Sequence, residues 1–397
     1  MNIDRSDKTT KSYWIDSSNN TNYPTLDNDI SVDIAIVGGG ITGIAATYQL
    51  LKSGMKIALL EGLKIAQGTT GYTTGKITSQ HGLIYAKLIK QFGRELAQQY
   101  ATVNEMAIKE IKKIADQNNI NCDYSIQPAF IYTRDDSFVQ QIQEEAEAAK
   151  SLGISATFVS EIPLPIPIKA GLRFDNQAQF HPRKFLLPLV EEAHKKGALI
   201  FEESKIEELE QNGEGKYILT ALNGHTVTAK KVIIASRYPF YNKKGGYNAR
   251  ISQLKTYAIV IKAKEKFPGG MFINAEYPNR SLRVLNGDSE EYILVVGDSH
   301  KIDHMDDPDT HYKALVDFAG ELFTVEDVCY RWFTQDCMTV DGIPYVGNFL
   351  PGTPDLYIAT GFGKWGITNG LASSILLKDL MLVGSSPWKQ IYDPAKS

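Results

Sequence analysis

Cysteine is scarce in this chain. Cys122, Cys329 and Cys337 are the only three in 397 residues. They form no C-x-x-C and no metal-ligand spacing, which argues against a disulfide scaffold, a zinc ribbon or a redox dithiol. Such usage suits a reducing cytosol, and a cytoplasmic location is the expectation. Long apolar runs are also missing. No uninterrupted run approaches the ~20 residues of a bilayer span, and the polar N-terminus has no apolar core of a signal peptide. An excess of one charge is missing too. A net charge of −4 offers nucleic acid or an anionic membrane no attraction. No internal repeat or low-complexity tract is found. The composition is that of an ordinary globular protein, and the length allows two domains with sizeable cores.

The chain is organised around residues 32–61. Val32 to Val37 is an apolar run of the kind that makes a buried parallel strand. Gly38, Gly40 and Gly43 fill the positions of a G-x-G-x-x-G turn, with Ile41 and Thr42 leading into a helix over 44–52 that Gly54 stops. A second apolar run, Met55 to Leu60, ends on Glu61. In such a unit the first glycine allows the tight turn, the second lets a diphosphate approach the backbone, and the third lets helix and strand lie close. The free N–H groups of the helix start favour the diphosphate's charge. Glu61 can accept from both ribose hydroxyls and disfavours a 2′-phosphate, hence NADP.

The stretch 67–81 is dense in glycine and hydroxyls. Its Thr69, Thr70, Thr74, Gly75, Lys76 and Ile77 are candidates for phosphate or ring contacts, and His81 ends it. Residues 1–31 read as a polar arm on the surface, pinned by Tyr13 and Trp14. Helices are expected over 83–119 with a break near Gly93, and over 137–152, 183–196, 310–323 and 368–382. Strands are expected over 124–133, 198–201, 231–236, 254–263, 291–297 and 356–360. Asn223-Gly224 makes a hairpin turn between 217–222 and 226–228. Pro163, Pro165 and Pro167 enforce an extended segment, read as a crossover between domains. Lys205 and Ile206 start a turn, and Ala235 and Ser236 end a buried strand in small residues. Gly361, Gly363 and Gly366 form a second glycine turn, with Lys364, Trp365, Ile367 and Thr368 around it, opening the last helix.

Together these pieces resemble the FAD-dependent D-amino-acid-oxidase superfamily, which includes glycine oxidase and sarcosine oxidase. The likeness rests on the first glycine turn with Glu61, the 231–236 strand, Asp341-Gly-x-Pro-x-x-Gly347 and the 360–366 turn. It implies an α/β fold: a Rossmann-like FAD domain of the glutathione-reductase type beside an α+β substrate domain with a mixed or antiparallel sheet. The expected FAD domain is discontinuous, over 32–85, 172–253 and 330–397. The expected substrate domain takes 86–171 and 254–329. The resemblance adds Gly62, Lys205, Ile206, Ala235, Ser236 and Asp341 to the FAD-binding residues, and places the second glycine turn beside the flavin ring. The loop 73–82 looks most like a bacterial subgroup that often carries a C-terminal Rieske domain. No such domain is read here, and the chain is expected to be the flavoprotein portion of a longer protein.

The resemblance implies hydride transfer from a C–H beside an amine nitrogen to flavin N5. The candidate catalytic residues are His81, Tyr257, Arg283 and Lys364, with Arg283 or Arg280 expected to grip a substrate carboxylate. Cys337 invites comparison with the flavin-attachment cysteine of sarcosine oxidases but sits elsewhere relative to the following motif, so non-covalent FAD is expected. His300, His304 and His311 with Asp303, Asp306 and Asp307 fit no compact metal motif, and no metal is expected. The main expectation is an amine or amino-acid oxidoreductase. The alternatives are a dehydrogenase passing electrons to an iron–sulfur domain or partner instead of O₂, a pyridine-nucleotide-linked reductase (which lacks its second fingerprint here), and a non-catalytic flavin-binding module.

Overall fold

The computed structural model describes residues 11–241, 245–287, 290–303 and 306–396. Two sheets carry the fold. The first has eight strands, with 345–348, 356–360, 226–234, 30–37, 57–60 and 199–201 in spatial order and 206–211 and 217–221 at its side. Its middle is parallel: 30–37 lies between 226–234 and 57–60. The apolar run of 30–37 is explained by this central position, where both faces are covered. The strand 226–234 begins as the expected hairpin arm, antiparallel to 217–221. It then continues without a break into the expected strand beside 30–37 and 356–360.

The helix Ile41–Leu50 packs against Gly366–Val383 and Pro182–Lys195. Gly366–Val383 has the length and composition of a membrane span, and 72% of it is buried inside the fold. Its apolar character is that of a core helix.

The second sheet has nine strands: 325–339, 251–263, 291–301, 280–286, 271–274, 125–133, 170–179 and 76–77 in order, with 156–159 paired to 170–179. Among the described residues of this sheet, only 271–274 and 125–133 pair in parallel. One face looks into a large cavity. The other packs under the helix Pro308–Gly320, where Tyr257, Ile259, Ile293 and Val295 meet Tyr312 and Leu315.

Two expectations need correction, the crossover and the domain boundaries. The segment with Pro163, Pro165 and Pro167 connects two paired strands of one sheet, 156–159 and 170–179, and crosses between no domains. Residues 170–179 and 325–339 belong to the nine-stranded sheet, although 172–253 and 330–397 were assigned to the FAD unit. Both sheet-to-sheet junctions fall later, because each strand runs on past the boundary that composition suggested. The arm is pinned at the residues expected: Tyr13 and Trp14 are buried, Trp14 Nε1 donates to the Thr73 carbonyl at 2.6 Å, and Asp16 beside them stays exposed. Residues 1–10 of that arm, like His304, lie outside the described residues. The long helix is confirmed as Tyr85–Gln117, with its break at Gly93 in the left-handed region, φ 82°.

Candidate functional site

A cavity of about 700 Å³ opens between the two sheets, within the range of ligand sites. The two glycine turns meet there. Gly38, Gly40, Ile41 and Thr42 line one part, and Gly361, Gly363, Lys364, Trp365, Gly366 and Ile367 another. Neither helix is capped by its own N-cap side chain, so the positive helix end and the N–H groups left open there suit an anion or a polar ring edge. Ile41 N is held by the Thr70 hydroxyl at 3.1 Å.

Gly43 lies beneath this surface. A Cβ there would stand 1.9 Å from the Gly38 carbonyl, so the turn closes only around glycine. Glu61 lines the cavity at the end of its strand. Its carboxylate accepts from Gly39 N at 2.7 Å and Leu63 N at 2.8 Å. Burial raises its pKa, against the pull of those N–H groups. These features fit a dinucleotide with its diphosphate at the first turn and a ribose at the acid. Gly62, Thr69, Thr70, Thr74, Lys76, Lys205, Ile206, Ala235 and Ser236 line the same cavity. Cys337 lines it as well, its thiol pushed up to about 11 by burial.

Several expected residues lie elsewhere. His81 is buried: Nδ1 meets the Tyr100 hydroxyl at 2.6 Å, and Nε2 meets the Thr78 carbonyl at 2.7 Å and the Thr368 hydroxyl at 2.9 Å. Desolvation drives it down to about 3, so it is neutral and ties the 67–81 loop to the last helix. Thr368 shares that network and also donates to Thr78 O. Ile77 is buried, and the Gly75 carbonyl accepts from Arg283.

Arg283 is 4% exposed. Its guanidinium donates to the carbonyls of Thr74, Gly75, Phe180 and Val284 and lies over the Trp14 ring. Burial lowers it to about 9. Nε and Nη1 are committed to these carbonyls and Arg283 does not line the cavity, so no carboxylate grip there follows. Arg280 is paired with Asp298 at 2.6 Å. Asp341 holds its own turn through Ile343 N and faces Lys396 at 3.4 Å, outside the cavity.

Tyr257 is out of phase by one residue. Thr256 faces the cavity, while Tyr257 points to the opposite face and its hydroxyl meets His300 Nε2 at 3.0 Å. Strand alternation puts neighbours on opposite faces, and the sequence did not reveal which face was which.

Lys364 does reach the cavity. Its Nζ donates to Thr256 Oγ1 at 2.6 Å and Ser299 Oγ at 2.7 Å, and pairs with Asp336 at 3.2 Å. Thr256, Ser299 and Asp336 were not anticipated; the long strand carrying Asp336 was not read from the sequence at all. Lys76 is held deeper, donating to the Phe272 carbonyl at 2.8 Å and Ser281 Oγ at 2.6 Å. No carboxylate pairs with it among the described residues. Burial, helped by the Arg283 charge, lowers it to about 7.

Residues 33–380 match the family described as DAO: FAD dependent oxidoreductase. A "Putative Rieske 2Fe-2S iron-sulfur protein YhfW" of Bacillus subtilis strain 168 is 36% identical over 97% of this chain and 75% of its own length. The crystal structure of glycine oxidase from Geobacillus kaustophilus shares the fold, with TM-score 0.76, 16% identity and coverage of 92% of this chain and 99% of that one. So does L-amino acid deaminase from Proteus vulgaris, with TM-score 0.74, 16% identity and coverage of 96% and 97%. The two glycine turns on one cavity and the match across most of the chain agree: this chain belongs to the DAO family of FAD-dependent oxidoreductases.

Proposed function

We propose that the chain oxidises the C–N bond of an amino acid or secondary amine, with Lys76 anchoring the substrate's carboxylate. FAD, when bound, would supply the two-electron acceptor for oxidation of the C–H beside the amine nitrogen. The residues of this chain hold and orient. The Gly38–Gly43 turn and Glu61 would carry the diphosphate and ribose, and the 361–367 turn the ring. The observation behind the anchor is the state of Lys76. It lines the cavity, spends two donors on neutral oxygens and has no acidic partner among the described residues. Lys364 is less suited, because Asp336 already neutralises it. A buried ammonium without a counter-ion is stabilised by an incoming anion.

A carboxylate inhibitor that perturbs the flavin spectrum tests this. Lys76→Met should weaken its Kd at least tenfold while leaving flavin content and the affinity of uncharged amines unchanged. Equal affinity in both proteins would remove Lys76 from the site.

A non-catalytic flavin module fits poorly with Lys76, Thr256, Ser299 and Lys364 converging on one cavity. The second reading is a dehydrogenase that passes electrons to an iron–sulfur domain or partner. The name of the Bacillus relative and its greater length favour it. Reoxidation of the substrate-reduced flavin, timed with O₂ and with a Rieske-type acceptor, separates the two.

A further inference from the structure

The strand 291–301 has two faces with different contents. Gly297 and Ser299 line the FAD cavity. Asp298 and His300 point the other way, toward the helix 308–320 that brings His311. Asp306 closes the group, and one ligand atom from each of His300, Asp306 and His311 lies within 4.8 Å of the others. The sequence spacing of these residues fits no compact metal motif and led to the expectation of no metal; strand pairing and helix packing, not spacing, bring His300, Asp306 and His311 together.

His311 carries the argument. Its Nδ1 meets Asp298 Oδ2 at 2.5 Å, and Asp298 is itself fixed by Arg280 at 2.6 Å. The carboxylate occupies the Nδ1 side and leaves Nε2 as the ring nitrogen turned into the group. That Nε2 is buried and has no hydrogen-bond partner among the described residues. Asp306 Oδ2 stands 3.7 Å from it. A buried ring nitrogen left unpaired is unfavourable and calls for an explanation. A carboxylate–histidine pair with its far nitrogen free is the arrangement that orients a metal ligand.

His300 stacks on His311, centroids 4.7 Å apart, and its Nδ1 is 3.9 Å from Asp306 Oδ2. Its Nε2 faces the Tyr257 hydroxyl, a second outer partner.

We propose that His300, His311 and Asp306 bind one divalent transition-metal ion of the zinc class on the sheet face turned away from the FAD cavity. Two imidazole nitrogens and one carboxylate are a common zinc donor set that leaves one coordination position open. Ligand atoms around a tetrahedral zinc ion sit roughly 3.4 Å apart. Closing the site therefore draws the half-exposed Asp306 inward. It also turns His300 so that Nδ1 leaves the Lys301 carbonyl, now 2.8 Å away, while Nε2–H donates to Tyr257.

The test is calorimetric titration of the flavin-loaded protein, freed of metal with EDTA, using zinc chloride. Wild type should take up one equivalent per chain, and Cys329→Ser should match it. His311→Gln and Asp306→Asn should each weaken the Kd at least tenfold with the flavin spectrum unchanged. Asp306 is exposed, so its variant remains informative should His311→Gln fail to fold. No saturable uptake by the wild type, or undiminished affinity in Asp306→Asn, overturns the proposal.

Discussion

At the scale of residues, burial decides which charged groups serve the site. Arg283, Arg280 and Lys76 all belong to the nine-stranded sheet, but only Lys76 lines the FAD cavity. Arg283 satisfies four backbone carbonyls and so holds the 74–75 turn to the sheet. Replacing it with Met removes those charged donors, though Gly75 O keeps its bond from Phe180 N, and hydrogen bonds from a charged group are worth about 1.5–3 kcal/mol. Arg283→Met should therefore lower stability by about 3 kcal/mol in denaturant unfolding, with KM unchanged in the protein that remains folded. Intact stability with a raised KM would return Arg283 to the substrate. Lys76 predicts a pH dependence. Burial brings it down to about 7, so the ammonium is present below about pH 7 and lost above it. The Kd of a carboxylate inhibitor should be flat at lower pH and weaken about tenfold per unit above pH 7. A profile flat to pH 9 would contradict this.

At the scale of elements, local patterns were legible and distant partners were not. The glycine turns could be read because backbone geometry itself demands the residue: Gly361 has φ 76°, and a Cβ there would stand 2.3 Å from the Thr339 side chain. The break at Gly93 was legible for the same reason. Neighbours brought together by the fold left no local trace. Glu145 accepts from Ile84 N, Tyr85 N and Ala86 N and so caps a helix whose first residue is 60 positions away in sequence. The phase of the 251–263 strand was equally hidden. Alternation fixes that Thr256 and Tyr257 face apart, but only the packed helix 308–320 determines which of them meets the cavity. The third glycine of the first turn gives the prediction at this scale. Gly43→Ala puts a methyl group against the Gly38 carbonyl, and the strand–helix unit must open to admit it. FAD content of the purified protein should fall by at least tenfold, measured by flavin absorbance per chain. Full occupancy would mean that the turn tolerates separation.

At the scale of the whole molecule, the two-sheet plan and the cofactor were legible. The strand–turn–helix–strand–acid series and the later turn could each be recognised locally, and the fold brings them to one cavity. The division of the chain was less legible, since 170–179 and 325–339 continue into the substrate-side sheet. Cys337 faces the cavity, where burial raises its thiol and weakens it as a nucleophile.

The central claim is that this cavity presents an amine C–H to bound FAD. Anaerobic mixing of the yellow protein with a panel of amino acids and amines tests it most directly. At least one amino acid or secondary amine should bleach the flavin absorbance, with Lys76→Met needing at least tenfold more of a carboxylate-bearing one. Bleaching by NADH, with every amino acid and amine inert, would contradict the account.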